Sequence, residues 1–87
     1  MYIIMVYDIN QKRVNKVLNI GRKYLEWIQN SVLEGEITEA KFERLKREIE
    51  LVVDEDEDSV IFYIMRTTKY SERQIIGIEK NKRDTII

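Results

Sequence analysis

Two segments of this chain are apolar on both sides of any strand they could form. In residues 2–9 the alternate positions are Tyr2, Ile4 and Val6 on one side and Ile3, Met5 and Tyr7 on the other. In residues 60–65 they are Val60, Phe62 and Ile64 against Ile61, Tyr63 and Met65. Both runs are too short for a lone helix and rich in β-branched and aromatic residues, so they read as strands. A strand of this kind is normally covered on both faces. Whatever fold is built must therefore supply two covering layers.

The rest of the chain supplies only one. Asn10 is a suitable helix N-cap, and Val14, Val17, Leu18, Gly21, Tyr24 and Leu25 follow at helical spacing. Lys12, Arg13, Lys16, Arg22 and Lys23 occupy the polar sides of that helix. Gly21 costs the helix about 1 kcal/mol of propensity but permits a close approach to a sheet. A short strand is expected near residues 25–28, a turn at Gln29 and Asn30, and a strand over 31–37. There Val32, Glu34 and Glu36 face one way, and Leu33, Gly35 and Ile37 the other. Thr38 caps a second helix with Glu39 in its first turn. Phe42, Leu45, Ile49 and Val52 make one apolar face on it. The acidic run 54–58 ends that helix, 59–66 is the fourth long strand, 67–74 a polar loop, and 75–79 a short fifth strand.

This order, β-α-β-β-α-β with a C-terminal strand, predicts an α+β fold: a single ferredoxin-like domain over residues 1–87. Two helices cover one face of its sheet. A second copy of the chain is the simplest cover for the other, giving a homodimer packed through the sheets. The fifth strand could pair with an exposed sheet edge of that copy. Chain length argues the same way. At 87 residues, only about 60–65% of the unfolded surface is buried, and a monomer would be marginal.

Composition limits the chemistry. The chain has no cysteine and no histidine. Thiol nucleophiles, thiolate or histidine-bound zinc, and histidine general bases are excluded. Catalysis would rest on carboxylates, Lys, Arg, Ser, Thr or Tyr, most simply with a hard metal ion. No apolar run approaches the ~20 residues of a membrane span, and no signal-peptide pattern opens the chain. The expectation is a soluble, cytoplasmic protein. The net charge of −1 hides a segregation: residues 1–30 carry +3, residues 31–58 carry −7 and residues 59–87 carry +3. A mildly basic surface built from both ends is compatible with nucleic acid, although solvated charged faces are commoner.

Three motifs bear on a site. Asp8 follows Val6 and Tyr7 where an apolar strand meets a basic helix. It reads either as a metal-binding carboxylate or as a side chain that hydrogen-bonds the loop and assists the cap. The run 54–58 opens like an EF-hand loop, but the glycine position falls on Ser59 and the terminal glutamate position on Met65. A solvated acidic loop is the simpler reading. Trp27, followed by Gln29, Ser31, Val32, Glu34 and Gly35, reads as a core aromatic beside a polar turn.

The opening run from Tyr2 to Ile9, then Arg13-Val14-Asn15-Lys16-Val17, then the run from Trp27 to Gly35 resembles the Cas-two family of CRISPR-associated proteins. The likeness extends to the acidic-ended second helix and to Ile76-Gly77-Ile78-Glu79. Trp27 stands where some members carry a basic residue, and Leu33 where many carry Phe. The resemblance implies a homodimer of ferredoxin-like protomers docked between two dimers of the Cas-one integrase. That assembly holds a DNA fragment for insertion as a new spacer. Some members are metal-dependent nucleases acting on RNA or double-stranded DNA. Carried over, Asp8 is the catalytic and metal-associated aspartate and Tyr7 its supporting aromatic.

In such a dimer two Asp8 carboxylates face each other. At about 5 Å they repel by roughly 3 kcal/mol at an effective dielectric of 20, so one protonates or a cation sits between them. Mg2+ suits the site, with Mn2+ as the alternative. Three functional readings follow. The first is a metal-dependent endonuclease centred on Asp8. The second is a scaffold that binds DNA phosphates through Lys12, Arg13, Lys16, Arg22 and Lys23. The third sets the resemblance aside and takes the chain as a ferredoxin-like regulatory module for a small ligand.

Overall fold

In a computed structural model of the chain, residues 1–66 and 74–77 are described. The elements run β1 (Tyr2–Asp8), α1 (Val14–Arg22), β2 (Glu26–Gln29), β3 (Val32–Glu36), α2 (Glu39–Glu50) and β4 (Ser59–Met65). They form one antiparallel sheet ordered β2-β3-β1-β4. β1 pairs with both β3 and β4. Each helix therefore follows one strand and precedes another that lies beyond an intervening neighbour, the split βαβ arrangement expected from the element order. Of the anticipated fifth strand, residues 75–77 are irregular, with Gly77 at φ +102. Residues 78–79 lie outside the described residues, as do 67–73 of the polar loop.

The core sits on one side of the sheet. Ile3, Met5 and Tyr7 of β1 and Leu33 of β3 are buried against Val17 of α1 and Phe42, Leu45 and Ile49 of α2. Gly21 lets α1 settle on this layer. A Cβ there would stand 3.2 Å from Leu33 Cδ1 and 3.7 Å from Met5 Sδ. Phe42 meets Phe62 of β4 edge to face, with ring centroids 5.2 Å apart. α2 begins as its sequence requires: Thr38 is extended, and its Oγ1 accepts the Lys41 N–H at 3.2 Å.

α1 begins later than its sequence suggests. The Asn10 side chain accepts the Lys12 N–H at 3.0 Å, while the Asn10 carbonyl accepts from Arg13 and Val14. Asn10 thus closes a separate turn, and Arg13 stands at the N-cap position with no side-chain capping bond. α1 ends at Arg22, so Tyr24 and Leu25 leave the helix. The Leu25 N–H still donates to the Gly21 carbonyl at 2.8 Å.

The opposite face carries Tyr2, Ile4, Val6 and Asp8 of β1. Register places Val32, Glu34 and Glu36 of β3 beside them, together with Ser59, Ile61, Tyr63 and Met65 of β4. Neither helix reaches this face. Ile61 is 48% and Tyr63 55% exposed, so the second apolar side of β4 is open to solvent, as the two-sided strand pattern requires of a single protomer.

Candidate functional site

Asp8 is the last residue of β1. Strand alternation turns its side chain to the open face, in line with Val6 and Ile4. The antiparallel ladder sets it opposite Ser59, the first residue of β4. Its carboxylate is exposed and has no hydrogen-bond or ion-pair partner among the described residues. The alternative in which Asp8 serves the loop is therefore not what the structure adopts.

Another carboxylate does that work. The Asp58 side chain is fully buried. Its Oδ1 accepts the backbone N–H of Asn10 at 2.8 Å and Arg13 Nη2 at 3.1 Å. Its Oδ2 accepts Arg13 Nε at 2.6 Å and the backbone N–H of Asp54 at 2.8 Å. Arg13 also reaches Glu57 at 3.0 Å. The Arg13 guanidinium, helped by the two backbone donors, holds the Asp58 carboxyl well below the usual range. The same fork raises Arg13 further above its ordinary value. The acidic run is thus more than a solvated loop: its last member ties the α2–β4 connection to the β1–α1 connection. Nothing local in the sequence signals this, because the partners are 45 residues apart.

Tyr7 lies beside Asp8 in sequence and across the sheet from it in space. It is 4% exposed on the helix side, and burial pushes its phenol up. Its hydroxyl donates to the Asn30 carbonyl at 3.2 Å, an oxygen that also accepts Trp27 Nε1–H at 3.0 Å. Tyr7 therefore supports the β2–β3 turn and does not touch the Asp8 carboxylate.

The five basic residues divide. Lys12 and Lys16 are exposed and make no ion pair among the described residues. Arg13 is engaged as above. Lys23 pairs with Glu48, which also accepts the Tyr24 hydroxyl. Arg22 lies over the Trp27 ring, 5.7 Å from its centroid.

Glu34 was not anticipated as a buried charge. It is 6% exposed on the open face, opposite Ile4, and accepts the Tyr2 hydroxyl at 2.5 Å.

Among the described residues no three carboxylates gather as metal ligands would. Among the described residues, Asp8 is an exposed carboxylate at the end of β1, with no second carboxylate opposite it in the ladder. A lone carboxylate of this kind fits a magnesium-type ion, which takes one or two carboxylates and keeps several waters; a second copy bringing its own Asp8 would supply the second.

The family profile described as CRISPR associated protein Cas2 matches residues 1–73. The chain belongs to the Cas2 family. This is the Cas-two family that the sequence motifs resemble. The chain is 82% identical over 87 residues, the whole of both chains, to a protein of Dictyoglomus turgidum named CRISPR-associated endoribonuclease Cas2. It is 55% identical over 82 residues, 94% of each chain, to the protein of that name from Thermotoga maritima. A solved Cas2 crystal structure superimposes with a TM-score of 0.81 at 42% identity, over 92% of this chain and 90% of that one. The Cas2 likeness extends to the sheet and helices alike. No helix among the described residues is long and apolar enough to cross a membrane.

Proposed function

We propose that this Cas2 protein is a homodimeric CRISPR adaptation protein that bridges two dimers of the Cas-one integrase on DNA and carries an endonuclease site at its paired Asp8 residues. The observation that carries this reading is the sheet face that neither helix covers. It is apolar through Ile4, Val6, Ile61 and Tyr63, and it ends in the exposed Asp8, which has no partner among the described residues. A second protomer laid on that face would bury the apolar side chains and bring the two strand ends together. The endoribonuclease names of the relatives support phosphodiester cleavage, with RNA as the first substrate to test.

The roles then follow from chemistry. Lys12 and Lys16 meet backbone phosphates as exposed point charges. The two Asp8 carboxylates would hold Mg2+ or Mn2+. When bound, such an ion polarises a phosphate oxygen and makes a coordinated water more acidic. Asp8 supplies negative charge at the seam. No histidine is needed in this scheme.

The decisive experiment compares wild type with Asp8→Asn in three assays: dimerisation by sedimentation, integration of a DNA fragment with the Cas-one partner, and Mg2+-dependent cleavage of single-stranded RNA. The expected result is loss of cleavage, with dimerisation and integration intact. Undiminished cleavage by purified Asp8→Asn removes the nuclease site from Asp8. Failure of the wild type to support integration with the Cas-one partner removes the bridging role.

A further inference from the structure

The Asp8 reading requires two carboxylates on separate chains to meet at one ion. Groups that act together in this way must be held within about 0.5 Å of their working geometry. Asp8 is a poor candidate for such precision by itself. It is the terminal residue of β1, exposed, with no side-chain partner of its own among the described residues. Ends of elements are where fraying concentrates.

The structure has a device at that point. Two residues after Asp8, the Asn10 N–H is fixed by Asp58 at 2.8 Å. Asp58 is followed directly by Ser59, which is Asp8's cross-strand partner. The path from Asp8 through Ile9 and Asn10 to Asp58, then to Ser59 and back across the ladder, is a small closed ring. Arg13 locks it from outside through Nε at 2.6 Å and Nη2 at 3.1 Å, and the Asp54 N–H fills the remaining acceptor site. Every bond falls on a buried carboxylate side chain.

A purely structural role explains this arrangement poorly. β1 and β4 are already paired over seven positions, from Tyr2↔Met65 to Asp8↔Ser59, so the ladder does not need a charged clasp to form. Removing one partner would cost stability, but replacing the whole pair by apolar residues is often neutral, so stability alone does not call for an ion pair here. What a fork of this kind does supply is a fixed distance and angle.

We propose that Arg13 and Asp58 are positioning residues for the paired Asp8 site, clamping the end of β1 so that each protomer presents its carboxylate in one orientation. This rests on the Asp8 reading above. It also removes Arg13 from the phosphate-binding set, since its guanidinium is committed to Asp58 and Glu57.

The test uses the full-length dimer and Mn2+ alone as the probe. Mn2+ binding is followed by calorimetry and by the manganese electron paramagnetic resonance signal, without RNA. Cleavage of single-stranded RNA is measured separately as kcat and KM. The variants are Asp58→Ala, Asp58→Asn, Arg13→Lys, Asp8→Asn and Leu45→Ala, the last a core truncation remote from the ring. Outer-shell substitutions typically weaken metal affinity by roughly 10–100-fold. We expect about tenfold weaker Mn2+ binding in Asp58→Ala, with a lower kcat and unchanged KM. Asp58→Asn, which keeps an acceptor for Asn10, should recover part of the affinity. Leu45→Ala should lose stability and keep its Mn2+ affinity. If Asp58→Ala does not fold, Arg13→Lys carries the test: it keeps the charge, removes the fork, and should bind Mn2+ several-fold more weakly. Wild-type Mn2+ affinity and kcat in a folded clasp variant, alongside loss of both in Asp8→Asn, overturns the positioning role alone. Wild-type Mn2+ affinity in Asp8→Asn overturns the Asp8 reading, and the clasp proposal with it.

Discussion

The phenol of Tyr7 donates a hydrogen bond to the backbone carbonyl of Asn30 at 3.2 Å, joining the last buried residue of β1 to the β2–β3 turn. Asn30 needs such support. It has a positive φ of 34°, a conformation Asn tolerates better than most residues but which still has to be held. The same carbonyl accepts Trp27 Nε1–H, so Tyr7→Phe leaves no orphaned acceptor. The expected cost is therefore at the low end of about 0.5–1.5 kcal/mol, measured by urea denaturation. Cleavage per folded dimer should not change, because Tyr7 and Asp8 occupy opposite faces of the sheet. A large loss of cleavage without loss of stability would return Tyr7 to the site.

Gly21 gives a second measurable consequence. Alanine is favoured over glycine in a helix by about 1 kcal/mol. At this position, however, the new methyl would stand 3.2 and 3.3 Å from the two methyls of the fully buried Leu33. The terms oppose, and Gly21→Ala should change stability by less than about 1 kcal/mol. Gly21→Val adds bulk in the same gap and should destabilise by about 1–3 kcal/mol. Denaturant midpoints at constant slope would check both.

The ion pair at Asp58 predicts an acid-sensitive term with a definite sign. Its folded value lies well below the ordinary aspartate value of about 4. As pH falls through that ordinary value, the unfolded chain takes up a proton that the folded chain refuses, and stability drops. The contribution is complete above the unfolded value and is lost as pH falls towards the folded one. Wild type should therefore exceed Asp58→Asn in melting temperature at pH 7, and the gap should narrow steadily below about pH 4. Glu48, held low by Lys23 and Tyr24, is present in both proteins and cancels in the comparison. A gap that stays constant down to about pH 3 would contradict the assignment.

Much of this architecture is legible in the sequence because it rests on local chemistry. Thr38 followed by the Phe42, Leu45 and Ile49 stripe defines α2 from start to core. The two-sided strands of residues 2–9 and 60–65 announce a sheet with an unfilled face. Asp8 is legible as a strand end on that face. Other features depend on distant partners. Asn10 resembles a helix cap, yet its side chain closes a turn of its own and its N–H belongs to Asp58, 48 residues away. Asp58 looks like one of five interchangeable acids until the β1–β4 register places it under Arg13. Alternation put Glu34 on the right face but did not reveal that the Tyr2 hydroxyl would accompany its burial. The basic residues show the same limit: their helix was visible, but which charges stay free was not.

That division of charges should appear in salt dependence. Removing one lysine–phosphate pair lowers the slope of log affinity against log salt by roughly 0.9 for duplex DNA. Lys12→Ala and Lys16→Ala should each reduce it by about that amount per site engaged. Lys23→Gln should change it less, because Glu48 already neutralises that ammonium. Titrations of a short duplex between low and physiological salt would show the difference. Equal slopes for all three variants would mean that exposure on α1 does not select the lysines that meet DNA.

The open face makes the strongest prediction. Ile61 stands opposite Val6, and Tyr63 opposite Ile4. Both are about half exposed in the protomer, so a lysine at either position can keep its ammonium in water while the chain is alone. In a dimer packed through these faces the same charge would be buried without a partner, a cost of several kcal/mol. Ile61→Lys with Tyr63→Lys should leave the far-ultraviolet spectrum of the fold intact. Self-association should weaken by at least about 100-fold, read by sedimentation equilibrium. If the site is built from two Asp8 residues as proposed, cleavage should fall with it, and mixing with Asp8→Asn protomers should not restore it. A double variant that remains dimeric at micromolar concentration would show that the protomers meet elsewhere, and the shared Asp8 centre would lose its physical basis.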